Sequence, residues 1–344
     1  MRDPKDVISY AEAGVDLHVA EELTARLKTV VESTRTKGMA GDFGAFGGRF
    51  RVDAAADLVA SADGVGTKVL VAAAANVHDT VGEDLVNHCT NDILAEGAEP
   101  LFFLDYFACG QLDADVAESV IRGVARGCRN NRCALLGGET AEMPGVYEAG
   151  TYDLAGFIVG RRTWDLPGPG AVQPGLALIG FPSTGLHTNG YSLARRVLFG
   201  EMGLGPNDPF PGTDATVAEV LLRVHRSYLG GLRAALEADA ITAIAHITGG
   251  GIPGNLKRVL PDDAGAVVDV SSWRQPPEFD VLSRASGLPQ HDLFAAFNMG
   301  VGLIAVAAPG RAGDVIESAA ADGIAAFECG RIESGQRHVR LVGV

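Results

Sequence analysis

Residues 61–68 read Ser-Ala-Asp-Gly-Val-Gly-Thr-Lys, between an apolar run at 58–60 and an alanine-rich run at 69–75. This order predicts a strand, a glycine turn and the start of a helix. Glycines let the backbone approach a ligand closely and direct several N–H groups into one concavity. A helix that begins at Thr67 or Lys68 would point its positive end at the same place, so the stretch predicts an anion site.

A carboxylate, Asp63, lies inside this predicted anion site. It is favourable there only if a cation lies between it and the anion, so the pattern indicates a metal-bound polyphosphate. A Walker A loop requires G-x-x-x-x-G-K-[ST], whereas Gly66 is followed by Thr67 and Lys68 in the opposite order. The P-loop is therefore excluded. The alternative is an ordinary strand-to-helix turn in which Asp63 and Lys68 form a solvated pair.

The composition limits the class of protein. A chain of 344 residues predicts about two domains. The formal net charge of −15 disfavours nucleic-acid binding, which needs a basic surface. The longest apolar run, 301–308, is too short to span a membrane, and the first six residues do not resemble a signal peptide. Five cysteines without a C-x-x-C pair are typical of free thiols. We therefore expect a cytoplasmic protein without nucleic-acid or membrane partners.

The segment 82–97 has helical periodicity with an apolar side and a polar side. The polar side carries Asp84, His88, Asn91 and Asp92. Such a side is usually solvated. The alternative is that Asn91 and Asp92 supply a second metal carboxylate, because Mg²⁺ takes carboxylates together with phosphate oxygens.

Two further glycine-rich segments flank this helix. Residues 38–48 contain five glycines and are either a flexible linker or a loop that closes over a ligand. Residues 137–145 follow a predicted strand at 133–136, in the same order of strand, glycines and acids as the opening stretch. We expect a second acidic loop there. The Pro/Gly-rich segment 161–175 then marks a boundary between domains at 1–165 and 175–344.

The second half contains two polar, glycine-punctuated loops. Residues 183–190 include His187, which is either a loop residue that forms hydrogen bonds or a catalytic group. Gly249, Gly250 and Gly251 precede a predicted helix at 255–260 and could bind an anion or simply give a flexible helix entry. Helices are expected over 215–238. The pattern of strands and helices predicts an α/β (α+β) protein.

Taken together, these motifs resemble those of the AIR synthetase (phosphoribosylformylglycinamidine cyclo-ligase) family, from about residue 10 to the C-terminal strands. The shared motifs are Tyr10-x-x-Ala-Gly-Val-Asp16, Asp63-Gly-Val-Gly-Thr-Lys68, Asn91-Asp92, Gly97-Ala-Glu-Pro-Leu-Phe-Phe-Leu-Asp-Tyr106, Gly137-Gly-Glu-Thr-Ala-Glu-Met-Pro-Gly145, Gly185-Leu-His-Thr-Asn-Gly-Tyr-Ser192, His246-Ile-Thr-Gly-Gly-Gly251 and Phe297-Asn-Met-Gly-Val-Gly302. The loop 38–48 departs from the form expected for the family.

The resemblance implies an ATP- and Mg²⁺-dependent ring closure. The formyl oxygen of formylglycinamidine ribonucleotide is phosphorylated, and the substrate's own amine nitrogen then displaces phosphate to give aminoimidazole ribonucleotide (AIR). Such phosphoryl transfer needs positioning and charge neutralisation rather than a protein nucleophile.

The resemblance also assigns roles to residues. The implied metal ligands are Asp63, Asp92 and Glu139. The implied ATP contacts are Lys28, Asp63, Gly64, Gly66, Thr67, Lys68, Gly137, Gly138 and Thr140. His187 and Asn189 would lie near the substrate or the transferred phosphoryl group, and Glu142 would orient the amidine. Gly249, Gly250 and Gly251 would hold the ribose 5-phosphate.

The implied architecture has two α/β domains, with the N-terminal sheets of two subunits meeting in the barrel-like core of a homodimer and ATP at the subunit junction. Other enzymes of the same ATP-using superfamily, such as thiamine-monophosphate kinase, are the near alternative. Selenophosphate synthesis is disfavoured because residues 38–48 contain no cysteine. A nucleotide-binding module without turnover is the alternative from another class, and the intact acidic motifs disfavour it.

Overall fold

The computed structural model describes residues 17–41, 44–53 and 56–343, together with Ala13. The N-terminal motif Tyr10–Asp16, apart from Ala13, lies outside the described residues, as do two positions of the predicted loop 38–48. Within the described part, the chain forms two six-stranded sheets with helices around them. The predicted two-domain α/β architecture is therefore confirmed.

The strands of the first sheet are β1 (Met39–Ala40), β2 (Gly48–Asp53), β3 (Ala56–Gly64), β4 (Ala98–Cys109), β5 (Ala134–Glu142) and β6 (Tyr152–Arg162). Those of the second sheet are β7 (Ala177–Pro182), β8 (Ile241–His246), β9 (Ala264–Asp269), β10 (Val301–Ala307), β11 (Phe327–Ser334) and β12 (Val339–Val342).

The α-helices in the described residues are α1 (Leu17–Glu32), α2 (Lys68–Ala75), α3 (Asp79–Ala95), α4 (Ala114–Asn130), α5 (Tyr191–Arg195), α6 (Val217–Leu221), α7 (Leu229–Glu237), α8 (Gly251–Leu256), α9 (Pro277–Ser286), α10 (Gln290–Ala296) and α11 (Ala312–Ala321). A π-helical turn, Arg196–Glu201, continues α5.

The first sheet has the order β1-β2-β3-β6-β4-β5, and α3 packs on one of its faces. Helices α3 and α4 lie very close together because glycines meet at their crossing. A Cβ on Gly82 would lie 2.1 Å from the Val120 carbonyl oxygen, and one on Gly123 would lie 2.0 Å from the Asp79 carbonyl oxygen. The two glycines therefore allow α3 and α4 to pack closely.

The opposite face of the first sheet carries exposed aromatic side chains. Phe50, Tyr106 and Phe157 are all exposed, and Phe157 retains 42% of its accessible surface. Strand residues alternate between faces, and the register pairs put Tyr106 and Phe157 on the face that α3 does not cover. This face is thus an apolar surface without a covering layer among the described residues.

The second sheet has the order β12-β9-β11-β7-β10-β8. Every residue of β8 and β10 is buried, as expected for strands with both faces covered. In the described residues no helix combines the length and the apolar character that a membrane span requires.

The predicted helices within 215–238 are α6 and α7, and the segment 222–228 between them is not helical. The predicted strand 133–136 continues to Glu142, because β4 offers a parallel partner along that whole length. The predicted acidic loop at 137–145 is therefore mostly strand.

Candidate active site

The opening stretch forms the predicted strand, turn and helix. Strand β3 ends at Gly64, Gly66 adopts a positive φ of 55°, and α2 begins at Lys68. Asp63 accepts a hydrogen bond from the Gly64 N–H at 2.7 Å through Oδ1. The positive φ favours glycine at position 66 and turns the chain sharply into the helix.

The segment 188–192 of the second half meets this turn, and the loop at Gly249 meets that segment. The hydroxyls of Thr67 and Ser192 are 3.1 Å apart. A Cβ on Gly66 would lie 3.7 Å from the Thr188 carbonyl oxygen, and one on Gly249 would lie 3.4 Å from the side-chain oxygen of Asn189. Three motifs that are far apart in the sequence are therefore neighbours in space, at the junction between the two sheets.

A buried cluster of acids and imidazoles lies beside the turn. His88 Nε2 is 2.8 Å from Asp63 Oδ2 and 3.8 Å from Asp92 Oδ2. His246 Nδ1 is 2.8 Å from Asp92 Oδ1, and Ser61 donates a hydrogen bond to Asp92 Oδ2 at 3.0 Å. Asp63 and Asp92, two predicted metal ligands, are thus brought together around one histidine.

Charge interactions outweigh desolvation for His88 and Asp63. Burial alone would lower the pKa of His88, but the charge and hydrogen bond of Asp63, with the charge of Asp92, raise its pKa to about 9. For Asp63, burial acts to raise the pKa, and the charge and hydrogen bond of His88 leave its pKa below the usual value. His88 therefore serves as the cation of the cluster when no other cation is bound.

His187 lies in the same region and is buried. Its ring stacks on that of His225 with 3.9 Å between centroids, and its Nε2 accepts a hydrogen bond from the Thr184 N–H at 3.2 Å. Burial, together with the nearby charges of His246 and Lys68, lowers the pKa of His187 well below its ordinary value. Since the imidazole stays neutral, it can form hydrogen bonds but does not supply a positive charge to a phosphate.

The ammonium of Lys68 is bonded to other parts of the protein. It is fully buried and pairs with Asp84 Oδ2 at 2.7 Å. It also donates to the carbonyl oxygens of His187 at 3.1 Å and Arg223 at 2.8 Å. An ammonium has three protons to donate, and all three are used. In this conformation Lys68 therefore has no proton left for a phosphate, and its contact with phosphate stays a prediction.

Glu139 does not join Asp63 and Asp92 within one chain. The register pairs place Asp63 level with Asp105, on the face that α3 covers, whereas Glu139 pairs with Tyr106 on the opposite face. Strand β5 is three strands from β3, which corresponds to about 14 Å. Within a single subunit Glu139 therefore does not meet the other two predicted metal ligands, and the three-carboxylate site stays a prediction.

The glycine that precedes Glu139 is required by the packing of β5 against β4. Gly137, Gly138 and Thr140 lie in β5, so they do not form a phosphate-binding turn. A Cβ on Gly138 would lie 2.4 Å from both the backbone oxygen and the side-chain Oδ1 of Asp105. Close approach of β4 therefore requires glycine at position 138.

Two other predicted site residues lie on β5 and α1. Glu142 ends β5 and accepts a hydrogen bond from the Leu112 N–H at 2.9 Å, which orders the chain before α4. Lys28 is exposed on α1. No ligand contact is present to test either role, so both stay predictions.

The three glycines at 249–251 differ in their surroundings. Gly249 lies next to Asn189, as described above. A Cβ on Gly251 would lie only 1.7 Å from the Phe294 carbonyl oxygen, so glycine is needed there for packing against α10. Asn255 donates to the carbonyl oxygens of Thr248, Gly249 and Gly251 and holds the loop. Phosphate binding by this loop remains a prediction.

The sequence interpretation missed the burial of the polar side of α3. Asp84, His88, Asn91 and Asp92 are all buried against the second half rather than solvated. His225, which the sequence interpretation did not single out, joins them through His246 Nε2 at 3.2 Å. One signal was available: this side of the helix carries short amides, aspartates and a histidine in place of lysine or glutamate.

Known proteins share this fold and these motifs. Residues 44–162 match the family described as "AIR synthase related protein, N-terminal domain", and residues 173–343 match the corresponding C-terminal domain family. The solved complex "AaThiL complexed with AMPPCP and TMP" superposes with a TM-score of 0.64 at 16% identity, over 100% of this chain and 96% of that chain. The fold thus defines an AIR-synthase-related protein.

Relatives of similar sequence show which family of AIR-synthase-related proteins the chain belongs to. A phosphoribosylformylglycinamidine cyclo-ligase of Sorangium cellulosum is 48% identical over 95% of this chain and 96% of its own length. One of Myxococcus xanthus is 46% identical over 97% and 98%. The chain belongs to the phosphoribosylformylglycinamidine cyclo-ligase family.

Proposed function

We propose that this protein closes the imidazole ring of AIR in purine biosynthesis. The γ-phosphoryl group of ATP is transferred to the formyl amide oxygen of formylglycinamidine ribonucleotide, and ADP leaves. The substrate's amine nitrogen then attacks the activated carbon and displaces phosphate. The products are AIR, ADP and phosphate.

One observation supports this proposal most directly: the turn at 63–67 meets the loops of the second half through Thr67 and Ser192, whose hydroxyls are 3.1 Å apart. The backbone N–H groups of that turn and the N-terminus of α2 suit the phosphates of ATP. Asn189, beside Gly249, suits the substrate side of the same junction. Both reactants would then lie between the two sheets, as a direct phosphoryl transfer requires.

Mg²⁺ would supply charge neutralisation for the transferred phosphoryl group. Asp63 fits such an ion because 44% of its side chain is exposed at the mouth of the cluster. Asp92 is tied to His246 and Ser61 and is largely enclosed. In this proposal Asp63 is therefore the first carboxylate that a magnesium–ATP complex meets.

The proposed assembly is a homodimer formed through the uncovered face of the first sheet. Phe50, Tyr106 and Phe157 make this face apolar, and a second copy of the same face would remove these rings from water. Glu139 lies on this face, so its proposed metal role would require the subunit junction. A cytoplasmic location is also proposed, on the basis of five buried free thiols.

The test is incubation of the protein with formylglycinamidine ribonucleotide and MgATP, followed by measurement of AIR and ADP. Asp63→Asn is expected to lower the rate by about 100-fold or more while the protein stays folded. Asp57→Asn is the matched control, because Asp57 lies on the same strand but pairs with Arg51 at 2.8 Å. Equal ADP and AIR yields support the proposal.

The alternatives give different outcomes in the same assay. Turnover of ATP with thiamine monophosphate, without AIR formation, would favour a kinase of the same superfamily. Binding of ATP without ADP formation on either substrate would favour a nucleotide-binding module.

A further inference from the structure

Two cysteines meet where α4 ends and β5 begins. The Cys133 N–H donates to the Cys128 carbonyl oxygen at 2.8 Å, and the N–H of Arg132 donates to the carbonyl oxygen of Arg129 at 3.1 Å. Arg132 has a φ of 54°, in the left-handed region. Two such hydrogen bonds around a left-handed residue form a Schellman motif, in which the side chains of the two outer residues commonly pack together. Here both outer residues are cysteines.

The backbone holds these cysteines at a separation that a disulfide spans. Given the 2.8 Å hydrogen bond, standard bond lengths limit the distance between the Cα atoms of Cys128 and Cys133 to about 6.7 Å, inside the roughly 4.4–6.8 Å range of disulfides. In a continuous helix, residues five apart would be separated by about 7.5 Å along the axis alone. The turn therefore brings together two thiols that a longer helix would keep apart.

The two thiols also differ in reactivity. A hydrogen bond between the two side chains raises the pKa of Cys128 and lowers the pKa of Cys133. The thiolate is the nucleophilic form of cysteine, so Cys133 is the reactive member of the pair. It is also the more accessible one, since it retains 8% of its accessible surface against 2% for Cys128, and β5 lies at the edge of the first sheet.

The other three cysteines are less reactive. Cys89, Cys109 and Cys329 lie on three separate elements, α3, β4 and β11. Burial raises the pKa of each of these thiols. An oxidant that reaches the folded protein should therefore react first at the end of α4.

We propose that Cys128 and Cys133 form a reversible disulfide within one chain when the protein meets a hydroperoxide. The Cys133 thiolate attacks one peroxide oxygen, so that an S–O bond forms, the O–O bond breaks, and the other oxygen leaves as water or an alcohol. The Cys128 sulfur then attacks this sulfenic acid. The S–S bond forms, the S–O bond breaks, and the Cys128 proton leaves with the hydroxide as water. An external dithiol reverses the oxidation.

The disulfide would close a turn that contacts the second half of the molecule. Between the two cysteines, Asn131 donates to Asn87 Oδ1 on α3 at 2.7 Å. It also accepts from the Ser227 hydroxyl at 2.6 Å. The proposed modification therefore lies beside a buried contact between the two halves.

The test is treatment of the full-length, reduced protein with hydrogen peroxide, followed by a count of free thiols in denaturant. We expect the count to fall from five to three, and dithiothreitol to restore it. Peptide mapping without a reducing agent should show one cross-link, between Cys128 and Cys133 of the same chain.

Three variants separate the roles of the thiols. Cys133→Ala is expected to keep its four remaining thiols, because the pKa of Cys128 is raised. Cys128→Ala should stop at a sulfenic acid on Cys133, which dimedone traps. Cys329→Ala is the matched control, because this cysteine is also buried but lies on β11, and its thiol count should still fall by two.

Melting curves of the reduced variants show whether they fold. If one does not, the peptide map of the wild type decides. The proposal is overturned if the wild type loses no thiol at a peroxide concentration that oxidises free cysteine, or if the cross-link forms only in urea or between two chains. Loss of two thiols in folded Cys133→Ala would overturn it as well. Because AIR formation is not measured, failure here leaves the proposed function standing.

Discussion

Replacement of Lys68 by methionine tests whether this lysine stabilises the fold or binds phosphate. The change removes the ammonium but keeps an unbranched apolar chain of similar length. Asp84 would then lie fully buried without its 2.7 Å partner. Removal of one member of a buried ion pair costs about 3–5 kcal/mol. That is a large part of the roughly 5–15 kcal/mol that stabilises a typical folded protein.

Equilibrium unfolding in urea measures this change, because the free energy of unfolding falls linearly with denaturant. The double variant Lys68→Met/Asp84→Asn removes both charges, while an amide oxygen at 84 can still accept from the His225 N–H, now bonded at 2.6 Å. We expect it to recover about 1–3 kcal/mol relative to Lys68→Met. Lys257→Met, at an exposed lysine, is the control and should change little.

A different result would refute this reasoning. If Lys68→Met unfolds at the same urea concentration as the wild type but loses AIR formation, the ammonium must leave Asp84 and contact the phosphates during turnover. The sequence-based role of Lys68 would then stand.

Three further predictions concern other parts of the molecule. Burial lowers the pKa values of His187 and His225, so below about pH 6.5 the unfolded chain binds protons that the folded chain cannot. The free energy of unfolding is therefore highest above that pH and falls on acidification. His187→Asn should reduce the dependence of this free energy on pH by about 1.4 kcal/mol per pH unit, as measured by urea titrations at several pH values. Phe157→Asp should convert a dimer to monomers in sedimentation experiments, whereas Val77→Asp, exposed but outside the sheets, should not. Gly138→Ala should lower the free energy of unfolding by about 2 kcal/mol, because its Cβ would lie 2.4 Å from the Asp105 oxygens, while Gly170→Ala meets nothing within 4 Å.

The local sequence pattern was sufficient to predict the turn after β3. Glycines at 64 and 66, an apolar run before them and an alanine-rich run after them specify strand, turn and helix through contacts between near neighbours. The extent of β5 could not be predicted in this way. Its second half, from Gly137, pairs with β4 in parallel register, and a glycine-rich segment acquires strand structure there only because a distant strand offers hydrogen bonds.

The arrangement of the candidate site also depends on residues that are far apart in the sequence, so it could be predicted only in part. Asp63 at the end of β3 and Asp92 on α3 both lie near His88 Nε2, so their proximity depends on the packing of α3 on the first sheet. The sequence did not reveal which face of β5 carries Glu139, because the predicted strand ended at residue 136 and left Glu139 in a loop. The burial of Lys68 could not be predicted either, because its carboxylate partner, Asp84, lies on another helix.

The polar side of α3 also affects how the chain folds as it is synthesised. Asp84 accepts from the backbone N–H of His225, Asn87 donates to the backbone carbonyl of the same residue at 2.7 Å, and Asn91 accepts from the N–H of Tyr228. Until the ribosome has released these later residues, Asp84, Asn87 and Asn91 lack these backbone partners. The half that contains the first sheet therefore completes its core only when the second half arrives, and the two sheets should melt in a single cooperative transition.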